Sequence, residues 1–156
     1  VELEAKKAYE ELTKAGVEVS PYEVITTYQI HSLKDYLSLT ITYYQYTGGA
    51  HGISQVISHN YDLASGNRLE LKDIFKKDYN YQEVINKVIK EAITKKPEDF
   101  FPDAFQGISQ NQSFYIGREG IIIYFQNYEI APYAAGNPEF LIPYSIIREG
   151  LNINIQ

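Results

Sequence analysis

The side chains able to do acid–base or metal chemistry are thinly spread in this chain. The three histidines are His31, His51 and His59, and none has a partner at the helical i+4 spacing of a zinc pair. There is no cysteine, which excludes disulfides, thiol nucleophiles and cysteine-ligated metal centres. No G-x-S-x-G nucleophile elbow, phosphate-binding P-loop or dinucleotide fingerprint occurs. Asp62, Glu70 and Asp73 bracket a turn at Gly66 but lack the alternate-position spacing of a calcium loop. The sequence thus predicts neither metal nor cofactor and names no catalytic residue.

One stretch stands apart, Tyr46-Thr47-Gly48-Gly49-Ala50-His51-Gly52. Three glycines in five residues call for positive φ angles or close backbone approach. The loop leads into a strand pattern and not a helix, which argues against a phosphate cradle. A second irregular stretch runs from Asn127 to Gly136 and holds Glu129, Pro132 and Tyr133. If the two loops pack together, His51 and Glu129 would be placed for an acid–base pair. The competing expectation is that Glu129 caps its own loop, and no nucleophile accompanies the pair.

The elements that must position these loops are legible in the periodicity. Val1, Ala5, Ala8, Tyr9, Leu12 and Ala15 form a helical stripe that Gly16 stops. Alternation then predicts strands over 22–31, 36–46 and 53–62. In the second, Leu37, Leu39, Ile41 and Tyr43 face one side and Ser38, Thr40, Thr42 and Tyr44 the other. Such a period of two predicts an antiparallel sheet with one covered face. A turn at Ser65-Gly66-Asn67 precedes a short strand expected over 68–71.

Tyr81, Val84, Ile85, Val88, Ile89, Ala92 and Ile93 predict the main helix, capped by Asn80 and closed by Lys95-Lys96-Pro97. A helical turn is expected within 98–106. Strands at 114–116 and 121–126 flank a hairpin at Gly117–Gly120, and Ile121–Phe125 reads as a central strand covered on both faces. Phe140–Pro143 reads as an edge strand and 144–149 as a last helical turn. The expected fold class is α+β: an antiparallel sheet with one main helix packed on a face, an N-terminal helix and short helical turns.

Composition narrows the partners. At 156 residues, 44% hydrophobic and 22% charged, the chain reads as one globular domain. Its formal charge of −6 opposes nucleic-acid binding and suits a cationic partner. Fifteen tyrosines and no tryptophan suit sheet faces and interfaces.

The ordered motifs resemble a known family. They are the Tyr46–Gly52 loop, Asn60-Tyr61-Asp62, Leu71-Lys72-Asp73-Ile74-Phe75, the Tyr128–Gly136 loop and Ile142-Pro143-Tyr144. Together they resemble the extracytoplasmic domain of RsiV-type anti-sigma-V factors, which also accompanies PdaC-type peptidoglycan deacetylases. The resemblance covers about residues 22–148 and implies an α+β domain, 21–156, outside the cytoplasmic membrane in an anchored or exported parent. Residues 1–20 would then be the end of a preceding companion domain or packing helix.

In the RsiV branch the resemblance implies a sensor that binds lysozyme. In the other it implies an accessory domain of a cell-wall deacetylase or surface lipoprotein, facing glycan. Neither is an enzyme by itself. The binding surface expected for either is Tyr44, Tyr46, Gly48, Gly49, Ala50, His51, Gly52, Glu129, Pro132, Tyr133 and Gly136. Tyr44, Tyr46 and Tyr133 would be its aromatic anchors.

Overall fold

The structure is a computed structural model and describes residues 2–17, 22–48 and 50–154. It is a mixed α/β arrangement of two small antiparallel sheets and three helices. Helix α1 spans Glu2–Lys14 and is followed by strands β1 (Glu23–Leu33), β2 (Tyr36–Tyr46) and β3 (Ile53–Asp62). These form the first sheet in the order β1-β2-β3. Helix α2 (Tyr81–Lys95) leads to β4 (Phe114–Ile116), β5 (Gly120–Tyr124) and β6 (Glu139–Pro143), the second sheet in that order. Helix α3 (Tyr144–Ile147) follows directly.

Most expected elements form where the pattern placed them. Asn80 caps α2 by accepting the Glu83 N–H at 3.4 Å. Apolar Ile85 and Ile89 on α2 are fully buried among Ile116, Ile121, Ile123 and Ile142 of the second sheet. That run of isoleucines in β5 is a central strand, as its unbroken apolar character requires. Two expectations need correction. The strands make two sheets and not one. Residues 68–71 form no strand: only Arg68 bridges to Tyr61, and Leu71–Ile74 is a 3-10 turn. Its start is held by Asp73, which accepts the Glu70 N–H at 2.8 Å.

The covered face of the first sheet is its polar one. Ser38 and Asn60 are 0% and 2% exposed, whereas Tyr28, whose register places it on the opposite face, is 74% exposed. The cause lies in β4, an edge strand of the second sheet that crosses over this face. The outward backbone groups of β4 have no strand partner and are buried, so they need hydrogen bonds from elsewhere. Asn60 Nδ2 donates to the Phe114 carbonyl at 3.0 Å, and the Ile116 N–H donates to Ser38 Oγ at 2.8 Å. Ser38 in turn donates to Asn60 Oδ1 at 2.6 Å. Two polar side chains of one sheet thus complete the edge of the other. The outer face carries Val24, Tyr28, Ile30, Leu33 and Ile53, and all five are exposed.

A bulge in β1 between Ile30 and Ser32 brings His31 to the join. Its ring stacks on Tyr115 of β4 at 3.7 Å, and Nε2 lies 2.8 Å from Thr40 Oγ1. Burial lowers the His31 pKa below its ordinary 6.5. The neutral form is therefore favoured on folding, and the stabilisation it gives is present above the unfolded value. It is lost as pH falls from about 6.5 through the folded pKa. Urea unfolding at pH 7.5 and pH 5 is expected to show a loss for the wild type that His31→Gln reduces. Equal losses in both would remove His31 from the acid response.

Candidate functional site

The structure brings the two irregular loops together at one end of the first sheet. The first loop leaves β2 at Tyr46 and returns to β3 at Ile53. Gly48 takes a φ of +97°, which a side chain rarely tolerates. Gly52 is needed for a different reason. A Cβ there would lie 2.5 Å from both the Gln45 carbonyl and the Tyr44 ring, so the returning chain runs against Tyr44. Gly49 lies outside the described residues.

The second loop starts at the end of β5. Gln126 lays its carboxamide on the outer edge of β3: Oε1 accepts the Val56 N–H at 3.0 Å and Nε2 donates to the Val56 carbonyl at 2.8 Å. Tyr124 Oη donates to the same carbonyl at 3.3 Å, and Asn137 Nδ2 donates to the Phe125 carbonyl at 3.1 Å. These bonds seat the second loop beside the first. Pro132 leads into a 3-10 turn, Tyr133–Ala135, which ends at Gly136 with φ +68°.

The loops meet through rings. His51 stacks on Tyr133 with centroids 3.9 Å apart and planes 17° apart. Tyr133 in turn lies 5.9 Å from Tyr128. The result is a three-ring step, and Tyr128 at its end is half exposed at a φ of +65°. His51 Nδ1 lies 3.0 Å from the Gly52 carbonyl; donation there leaves Nε2 as the acceptor.

Glu129 does not join His51. Its carboxylate accepts the Gln126 N–H at 2.8 Å and so caps its own turn. Of the other expected site residues, Tyr44 and Tyr46 are half-buried, and Ala50 is exposed at the loop tip. The sequence reading passed over Gln126 and Tyr128. Tyr128 stood within the second loop as a visible aromatic. Gln126 carried no signal, because its role depends on β3, seventy residues away in sequence.

Among the described residues no group of three His, Asp or Glu side chains is placed to hold a metal ion. No helix among them is long and apolar enough to cross a membrane. The geometry offers aromatic faces, backbone carbonyls and small side chains.

Comparison with known proteins finds relatives of this fold. Residues 72–145 match the model of DUF3298, a family of proteins of unknown function, and residues 1–54 match that of the deacetylase PdaC. The chain is 26% identical over 126 residues to the peptidoglycan-N-acetylmuramic acid deacetylase PdaC of Bacillus subtilis. That alignment takes in 77% of this chain but only 27% of the deacetylase. A solved DUF3298 member from Bacteroides fragilis shares the fold with a TM-score of 0.74 and 29% identity, over 98% of this chain and 63% of that one. A second, from Pseudomonas aeruginosa, gives 0.68 at 21% identity, over 94% of this chain and 69% of that one. The chain is thus similar to the DUF3298 domain associated with PdaC.

Proposed function

We propose that this chain is a non-catalytic accessory domain of a cell-wall deacetylase-like protein, working outside the cytoplasmic membrane. It presents the Tyr128–Tyr133–His51 step to glycan. The observation that carries this reading is the step itself, built from two loops and ending in an exposed ring. Tyrosine faces stack on the apolar face of a sugar while their hydroxyls meet its polar rim. The similarity of residues 1–54 to PdaC, a peptidoglycan deacetylase, supports the same setting.

Co-sedimentation with insoluble peptidoglycan tests it. Tyr128→Ala is expected to weaken binding roughly fivefold to tenfold, the scale of one aromatic contact. It should leave the melting temperature unchanged, because Tyr128 is half exposed. Tyr133→Ala should weaken both binding and stability, since Tyr133 joins the loops. Wild-type binding in both variants would remove the step from glycan recognition.

A second reading rests on the charge of −6. It is a sensor domain of an anti-sigma-like protein that takes a basic protein ligand such as lysozyme on the same loops. Calorimetric titration with lysozyme decides it, and no heat at micromolar concentration with folded protein would sink it.

A further inference from the structure

The outer edge of β3 holds a second recognition feature, distinct from the ring step. The β2–β3 ladder is unbroken from Ile53 to Asp62, so alternate residues of β3 turn both backbone groups away from β2. The phase is fixed by Val56, whose N–H and carbonyl meet Gln126, and by Asn60, whose carbonyl accepts the Leu69 N–H at 2.8 Å. Ser58 lies midway and has the same outward phase. Among the described residues no protein group pairs with its N–H or carbonyl.

Ser58 opens into a cleft of about 400 Å³ between β3 and the Asn111–Phe114 segment. Ligand sites commonly begin at roughly this size. The cleft is closed at one end by Gln126 on Val56 and at the other by Leu69 on Asn60. Those two positions are four residues apart, about 13 Å along a strand. The opening therefore admits one pairing residue with a neighbour on each side.

The geometry points to a short extended peptide as the occupant, three residues long, with its middle residue exchanging both backbone bonds with Ser58. The Gln126 carboxamide already makes this pair of bonds at Val56 and shows that the edge accepts an amide donor and acceptor together. A sugar is the poorer fit. The two rings in the wall, Phe114 and Tyr124, are buried, and the rest of the lining is mainly hydroxyl, carboxamide and charged side chains. Without an exposed ring face there is nothing for a pyranose to stack on.

The test is an amide-resolved NMR titration of the whole chain with trialanine. The Ser58 and Asn60 amide signals are expected to shift. Methylating the central nitrogen of the peptide deletes one donor and should weaken binding about fivefold, the scale of one net hydrogen bond. Because the change is made in the ligand, it carries no risk to the fold. N,N′-diacetylchitobiose run in parallel should leave Ser58 unmoved. The proposal is overturned by silence of Ser58 at millimolar trialanine. Unchanged affinity after N-methylation, or a chitobiose shift at Ser58, would overturn it as well. Glycan recognition at Tyr128 is read from different signals, so either idea can fail without the other.

Discussion

Asn60→Leu is expected to lower the unfolding free energy by roughly 3 kcal/mol, although leucine keeps the same branched skeleton. The loss comes from the groups left behind. Asn60 satisfies the Phe114 carbonyl and accepts from Ser38, and Ser38 holds the Ile116 N–H. With leucine in place, a buried carbonyl has no donor and a buried hydroxyl has no acceptor among these partners. Each unsatisfied buried group costs on the order of 1–3 kcal/mol, and no net hydrogen bond elsewhere returns it. Ser38→Ala alone should cost less, since it orphans the Ile116 N–H and one lone pair of Asn60. The double variant should lose less than the sum, because the two residues form one network. Urea unfolding of the four proteins measures this. A change below about 1 kcal/mol in Asn60→Leu would mean that the sheets are joined by apolar packing and not by this network.

Gly120→Ala is expected to be as damaging, by about 3 kcal/mol or more, for a steric reason. Gly120 opens β5 opposite Pro143 of β6. A Cβ there would overlap the Ile142 carbonyl oxygen and crowd Leu141. The obstruction is backbone, so no rotamer change relieves it. The strands must part, and Ile121 and Ile142, both fully buried, would be drawn out of register with the core. Glu119→Ala, one residue earlier and exposed, should stay within about 0.5 kcal/mol and serves as the control. Thermal unfolding of both decides the matter. Equal melting temperatures would show that β5 and β6 can separate at this point without strain.

The two substitutions mark different depths of what a sequence conveys. Gly120 sits in a Gly-rich hairpin between apolar runs, so its turn was legible locally, although its contact with Ile142 was not. Asn60 stands out in the sequence as part of the Asn60-Tyr61-Asp62 step, but its local pattern gives no sign of what it bonds. The crossing of β4, more than fifty residues later, gives its amide a buried carbonyl to bond. The same applies to Gln126, which completes an edge seventy residues earlier in the chain. Of the two readings the sequence offered for Glu129, a pair with His51 or a cap on its own loop, the cap forms, for a local reason. Glu129 finds the Gln126 N–H three residues back, and a short-range cap needs no docking of loops.

By itself, the sequence determined most of the elements. Periods of 3.6 and 2 placed α2 and the first three strands, glycines marked the loops, and the isoleucine run marked the centre of the second sheet. Those are consequences of backbone geometry and burial acting over a few residues. The tertiary structure decided which face of β2 is inside. Alternation separates two faces but does not rank them when an unpaired strand edge from elsewhere must be satisfied. The cost of a buried, unbonded backbone group placed Ser38 and Asn60 inward and left Tyr28 and Val24 facing out. It also decided that His51 meets Tyr133 and not Glu129, because the docking of the second loop on β3 brings the two rings together.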